Sequence, residues 1–462
     1  MIKYFSINDI SRYLAIILCF TVIRVLYLIV FSDPFLVELH FGSVSEQLNN
    51  LGESYAHVQH NIGPFSTALF RAVYTDMGAV FMPRVFAWIL GIIQIVVITS
   101  GLNAVGAYNS TNLFTGIIYS VILHLFPDMV VLSPLLLGMT LMCFVYIFIL
   151  RIIREQNNQD YFLYVGLLTG LAGGFLFPMF LFFFPTLVII VIYTRFDKKS
   201  ISLYLFGMIL PVLLLLSYYQ YDHRANFYLN QNFYFGFSVR LISQLPLKVY
   251  VLVAFIPTVL FALSFSKILG NNSMVTARQK MLVASVFYLI TCIIILILLP
   301  DKSVYYYLLF VPFLPIFYGI LFIEHDVPKR ANGGFIFVSF LLLLIPTLDS
   351  IPYIHKRVNY ESLYAKQVVD SYGKVLNLSD DKNILFNNTY ATGFCEYMIA
   401  KKYFDAQTIE STVFVYKMLL EDLPDAIYDP NEIVAQKMNL MPDLKKKYWY
   451  QKKKHIWKLR ER

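Results

Sequence analysis

Long apolar runs separated by short polar stretches organise most of this chain. They are Leu14–Phe31, Phe81–Leu102, Leu113–Phe126, Met129–Leu150, Phe162–Phe177, Phe180–Tyr193, Leu203–Tyr219, Val249–Leu269, Leu282–Leu299, Tyr305–Ile323 and Phe335–Ile354. Roughly 20 consecutive apolar residues cross a bilayer as a helix, so the pattern predicts an α-helical polytopic membrane protein with about 11 transmembrane helices. Three runs, from Leu113, Phe162 and Phe180, are short. Phe126-Pro127-Asp128 breaks the third run from the fourth, and Pro178 breaks the fifth from the sixth. Broken helices at membrane depth are tolerated where protein or a water-filled cavity covers the freed backbone. Each break therefore marks either a cavity wall or a tight turn at the membrane face.

The period changes in two places. Between residues 32 and 80, Val44, Leu48 and Leu51 recur at helix spacing beside Glu46, Gln47, Asn49 and Asn50. Phe65, Leu69, Ala72 and Val73 do the same beside Arg71 and Asp76. Both read as amphipathic helices of a large outer loop, lying at the membrane interface. From about His355 the chain becomes more polar. Helices are expected over Tyr364–Leu376, Gly393–Phe404, Thr412–Leu420 and Asn431–Asn439, and short strands over Asn383–Phe386 and Ala426–Tyr428. That alternation predicts a small C-terminal α/β domain over 355–462, after a transmembrane part over 1–354.

Composition narrows the class. Of the 462 residues, 58% are hydrophobic and 14% charged, whereas soluble domains carry about 25% charged residues. An ordinary soluble enzyme, a disordered chain and a secreted disulfide scaffold are excluded. Cys19, Cys143 and Cys292 lie in apolar runs and Cys395 in the polar part, with no metal or disulfide spacing. No small-residue cleavage pattern follows the first run, which reads as a span rather than a signal peptide.

Charge sets the expected orientation. With the amino terminus cytoplasmic, Lys3, Arg12, Arg151, Arg154, Arg195, Lys198, Lys199, Lys267, Arg278, Lys280, Lys329 and Arg330 fall inside. Arg71, Arg224, Arg240, Lys248 and Lys302 fall outside. Eleven spans would then place the C-terminal domain on the extracytoplasmic, periplasmic side. The segment 445–462 holds nine cations against Glu461, a net of +8, equal to the formal charge of the whole chain. Tyr448, Trp449, Tyr450 and Trp457 interleave with those cations. The segment reads as a solvated basic tail or as a surface for membrane lipids or a protein partner. Basic residues with aromatics also mark nucleic-acid patches, but an exported domain is expected to meet no nucleic acid.

The order of features in the first loop carries a resemblance. Acids follow the first span, and an amphipathic helix leads to Gly52-Glu-Ser-Tyr55 and then Gly63-Pro64-Phe65. A helix then ends in Asp76-Met-Gly78, and Pro83-Arg84-Val85 enters the second span. This order resembles the GT-C superfamily of membrane glycosyltransferases. Further segments are similar to a multi-pass family of Bacteroidota built on the same plan. They are Leu132-Ser133-Pro134 with Gly138-Met-Thr140, Gly170-Leu-Ala-Gly173 with Pro178, Gly207-Met-Ile-Leu-Pro211, Leu423-Pro424-Asp425 through Asp429, and Met441-Pro442-Asp443-Leu444. Together they cover nearly the whole chain. The resemblance implies transfer of a sugar from a polyprenyl-phosphate-linked donor to a cell-envelope acceptor at the bacterial cytoplasmic membrane. It also implies a carboxylate before the Gly-Pro step. His57 and His60 stand there instead, and the first loop has no Asp-x-Asp or Glu-x-Asp pair. This departure keeps a second reading open. The chain would then be a non-catalytic GT-C-like scaffold or lipid-binding component of an envelope assembly or secretion machine, with envelope protein partners.

Candidate site residues follow from the transferase reading. Asp33 and Glu38 come directly after the first span, where the resemblance places the first acid, and either can take a proton from an acceptor hydroxyl. Glu46 lies on a polar helix face. All three are equally readable as interface acids. His57 and His60, three apart, suit proton shuttling or a share in a divalent metal, although two histidines do not make a metal site and no cofactor is certain. Arg84 opens the second span and Arg24 lies inside the first. Ionisable groups within spans are functional candidates by default, while snorkelling or pairing with a neighbouring helix is the structural alternative. Asp128 either joins a cavity with Asp33 and Arg84 or caps the next helix. Asp222-His223-Arg224 and Asp301-Lys302 are placed to contact a pyrophosphate or sugar, or are solvated loops. No Gly-rich phosphate loop, nucleophile elbow or zinc-ligand cluster is present.

Overall fold

The computed structural model describes residues 2–30, 34–52, 57–74, 81–155, 159–193, 197–234, 247–270, 276–299, 304–325, 328–344, 370–379 and 381–460. The described chain is mostly helical, with one small sheet near the carboxyl end. Among the described residues, five helices are long and apolar enough to cross a membrane: Ile10–Val30, Phe81–Ala104, Pro134–Glu155, Lys198–Tyr221 and Thr276–Leu298. The chain divides into two compact units. The first comprises Met1–Ser32, Arg84–Leu216 and Val239–Tyr360, and the second Asp33–Pro83, Ser217–Ser238 and Glu361–Arg462.

The first unit is the apolar helical one. Its two proline breaks become 3-10 turns, Pro127–Val130 and Phe177–Phe182. The helix after the first break starts at Pro134, later than the apolar run. Ser133 sets that start, because its hydroxyl accepts from Leu136 N at 3.1 Å and Pro134 takes the first helical position. Lipid supplies no hydrophobic drive between helices, so polar side chains and small residues join them. Gln94 donates to Thr140 Oγ1 at 2.8 Å and accepts from the Tyr119 hydroxyl at 2.8 Å, tying three helices together. Tyr146 meets Ser285 at 2.7 Å, and Thr186 meets Tyr288 at 2.9 Å. Arg278 is almost buried and donates to Ala107 O at 3.0 Å, Asn109 Oδ1 at 2.5 Å and Glu324 Oε1 at 2.5 Å. One loop cation of the charge pattern is thus spent on fixing the ends of several helices.

The second unit is built on a five-stranded sheet of order β2-β1-β3-β5-β4. The strands are β1 (Gly373–Asn377), β2 (Asn388–Tyr390), β3 (Ala426–Tyr428), β4 (Tyr448–Gln451) and β5 (Ile456–Leu459). β1 runs parallel to β2 and β3, while β5 is antiparallel to β3 and β4. Leu376, Ile427 and Trp457 lie side by side in register. They pack with Ala400, Met418, Val434 and Leu444 from four helices, Tyr397–Asp405, Ile409–Glu421, Val434–Asn439 and Pro442–Lys447.

Three local expectations differ from what is found. Residues 364–369 of the helix expected over Tyr364–Leu376 lie outside the described residues, and Gly373–Asn377 is the inner strand β1. Only Val375 and Leu376 of its five residues are apolar, too short a run to show the alternation of a strand. Residues Lys382–Leu385 form a 3-10 turn rather than a strand, because Asp381 accepts from Asn383 N at 3.0 Å. The basic segment is no tail. Lys445–Lys447 end a helix, and the residues after them form the β4–β5 hairpin.

Candidate functional site

Chemistry-bearing side chains gather in each unit. In the first unit, Arg24 lies toward the end of the first span, is 2% exposed, and its Nη2 donates to Arg84 O at 3.4 Å. One turn on, the Tyr27 hydroxyl donates to His124 O at 2.5 Å. The Phe20 and Tyr27 rings stand 5.1 and 5.3 Å from the His124 ring. His124 closes the Phe114–Leu123 helix, and its Nδ1 bonds Ser120 O at 2.7 Å. Its Nε2 is buried and has no hydrogen-bond partner among the described residues. Asp128, also buried, follows in the Pro127–Val130 turn, which packs on Val304–Phe310. The end of span one, the start of span two and the proline break thus bring Arg24, Arg84, His124 and Asp128 to one end of this unit.

An apolar cavity of about 440 Å³ begins at that end, lined by Ile122, Leu125, Met129, Phe261 and Tyr307 among others. Met129 is the residue after Asp128. Val286 and Ile290 of the cavity wall also line a second cavity of about 680 Å³. The lining of the first is apolar but for Thr258 and Tyr307, and mostly apolar cavities are the usual form of a ligand site. His124 was not singled out from the sequence, although the rule that flagged Arg24 applies to it: an ionisable group inside an apolar run, next to a break.

The second unit holds a buried polar cluster. Glu38 and His40 lie on the Leu36–Leu51 helix. Glu38 Oε2 accepts from Phe35 N at 3.0 Å, closing the first turn of its own helix. His40 Nε2 pairs with Glu396 Oε1 at 3.0 Å, and its Nδ1 meets the Tyr390 hydroxyl at 3.2 Å. The Gln47 amide donates to Tyr390 O. Gln59 bridges to Phe394 as a strand neighbour would: its N donates to Gly393 O at 2.6 Å and its O accepts from Cys395 N at 3.2 Å. This approach needs glycine at 393, where a Cβ would stand 1.5 Å from His57 O. His60 N donates to Gln231 Oε1 at 3.4 Å, and Gln231 donates to Gln59.

Burial pushes the His60 pKa down to about 3, against the pull of Glu396, so the ring is neutral. Burial alone would raise the Glu396 carboxyl, but the His40 charge and hydrogen bond outweigh it and hold it at about 2. A pH dependence follows. In the unfolded chain histidine titrates near 6.5 and glutamate near 4.3, so below about 6.5 the unfolded state binds more protons. The contribution of His60 should be fully present above that pH and be lost progressively as pH falls towards 3. Thermal midpoints of the full chain in detergent between neutral and acid pH measure this. In His60→Gln the decline should begin only near 4.3, and an unaltered profile would remove His60 as its cause.

The remaining candidates sit apart. His57 pairs with Glu421 at 3.0 Å at the surface, and Glu46 is half-buried on its helix. His223 is exposed with φ 56°, and Arg224 pairs with Asp222 at 2.8 Å. Asp33 and Lys302 lie outside the described residues. Among the described residues, no three His, Cys, Asp or Glu side chains come together as a metal site would require.

No family model matches the sequence, and no curated protein matches it. Among solved structures the chain is similar to ArnT from Cupriavidus metallidurans bound to undecaprenyl phosphate. The TM-score is 0.53 at 11% identity, over 95% of this chain and 97% of that one. It also aligns with the Archaeoglobus fulgidus oligosaccharyltransferase complexed with zinc and sulfate, at TM-score 0.43 and 10% identity over 86% of this chain and 64% of that one. That score is too low to argue from. The likeness to ArnT is one of fold alone, and the described residues are mostly helical with a small carboxyl-terminal sheet. A shared fold does not settle the reaction.

Proposed function

We propose that this protein transfers a sugar from a polyprenyl-phosphate-linked donor to a cell-envelope acceptor at a bacterial cytoplasmic membrane. The observation that carries this reading is the end of the first unit, where Arg24, His124 and Asp128 are buried and Leu125 and Met129, the residues next to His124 and Asp128, line an apolar cavity. A cavity of this kind suits an isoprenoid chain, and a buried guanidinium suits the phosphate at its head. ArnT, whose structure holds undecaprenyl phosphate, supports the lipid class. In the proposed step the acceptor oxygen attacks the anomeric carbon and gives its proton to a carboxylate. The carbon–oxygen bond to phosphate breaks, and polyprenyl phosphate leaves with the electron pair. Arg24 and Arg84 face the phosphate, and Asp128 is the base; Asp33, which lies outside the described residues, is the other candidate from the sequence. Glu38 Oε2 is committed to closing its own helix turn. The amino terminus is placed in the cytoplasm and the second unit in the periplasm, with 11 spans, as the loop charges indicate.

The scaffold reading draws on one observation of its own, the commitment of the Glu38 carboxylate to its own backbone. Transfer measured in membranes supplied with lipid-linked sugars separates the two. Asp128→Asn or Asp33→Asn should lower the rate by about 100-fold or more, the effect of losing a general base. If both variants match the wild type, the catalytic reading is lost and the scaffold stands.

A further inference from the structure

We infer that the β4–β5 hairpin forms a strip that docks on anionic phospholipid headgroups, independently of whether the first unit is a transferase. Lys445–Lys447 and Arg460 stand at its base, where Arg460 N donates to Lys447 O at 2.8 Å. Lys452–Lys454 form the exposed turn at its tip. The four residues of β4 separate the two clusters by about 14 Å. Trp449 lies between them, 43% exposed and directly across from Lys458. The neighbouring aromatics Tyr448 and Trp457 are buried in the core, so Trp449 is the one turned out.

No acid occurs between Leu444 and Arg460. Among the described residues the strip's one ion pair is Lys454 with Asp370. β4 is an edge strand, and lysines beside an edge discourage pairing with other chains. Edge protection accounts for cations but not for an exposed tryptophan among them. Tryptophan with flanking lysines suits the bilayer interface, where the indole sits at headgroup depth and the ammonium groups meet lipid phosphate. The chain is itself a membrane protein, so such a surface is always at high effective concentration.

The test uses the full-length protein in nanodiscs of brominated phosphatidylcholine, with or without phosphatidylglycerol. Bromine quenches tryptophan only at contact, and Trp449→Phe gives the background from Trp88 and Trp457. Phosphatidylglycerol should raise the quenching of Trp449 roughly twofold, and the gain should vanish in 1 M salt, where screening acts over about 3 Å. Replacing Lys452, Lys453 and Lys454 by glutamine should remove the gain with the thermal midpoint unchanged. Equal quenching in the two lipids overturns the proposal without recourse to any lysine variant, as does a gain that survives salt.

Discussion

Leucine in place of Gly166 should keep the chain from accumulating as folded protein. The Asp160–Phe175 helix meets the Lys198–Tyr221 helix backbone to backbone. A Cβ at 166 would stand 2.1 Å from Tyr204 O and 2.9 Å from Met208 N, and one at Gly207 would stand 2.5 Å from Leu163 O. The colliding atoms are main chain, so no side chain can swing aside. The helices would have to separate and give up the close contact that joins them in lipid. Overpacking a filled interior commonly costs about 1–3 kcal/mol and occasionally more; contact with backbone on this scale belongs at about 3 kcal/mol or above. Size-exclusion profiles and thermal midpoints in detergent measure the loss. Gly333→Leu is the control, since nothing lies within 4 Å of a Cβ there. If the two variants behave alike, the close contact has no structural weight.

His40→Ala should cost about 3–5 kcal/mol, the usual result of removing one partner from a buried ion pair. The His40 and Glu396 side chains are 4% and 19% exposed, so little water reaches the remaining carboxylate. Burial would then raise the Glu396 pKa above its unfolded value. The sign of its contribution reverses: the group becomes most favourable in acid and loses stability as pH rises. Adding Glu396→Gln should recover part of the loss, because a neutral amide tolerates the site better than an unpaired charge. If the double variant shows the sum of the two single effects, the residues are not coupled.

Much of this architecture was legible in the sequence. Apolar runs long enough for a bilayer are a strong signal, and Pro127 and Pro178 did mark turns. The strands of the second unit were harder to read. β1 is short, and only Val375 and Leu376 of its five residues are apolar, so it offers no alternation to read. The hairpin hides its alternation behind Lys452–Lys454, and His455 turns the chain at φ 53° where asparagine or glycine would announce a turn. The site was legible only in part. Asp128 and Arg84 stood out because charge is scarce in apolar runs. His40, Tyr390 and Glu396 carry no local signal, since the chain brings them together only by folding.

Gln47 bonds Tyr390 across 343 residues of chain, and Gln59 bridges to Phe394 over a comparable span. A ribosome adding about 5–20 residues per second needs roughly 17–70 s to make the intervening segment. Throughout that interval the helix Leu36–Leu51 exists without the strand that satisfies it, and His40 and Gln47 must stay hydrated or be held by another protein. Unit two therefore closes late in the life of each nascent chain. A ribosome stalled anywhere before β1 releases a product whose first loop is already made and cannot be completed.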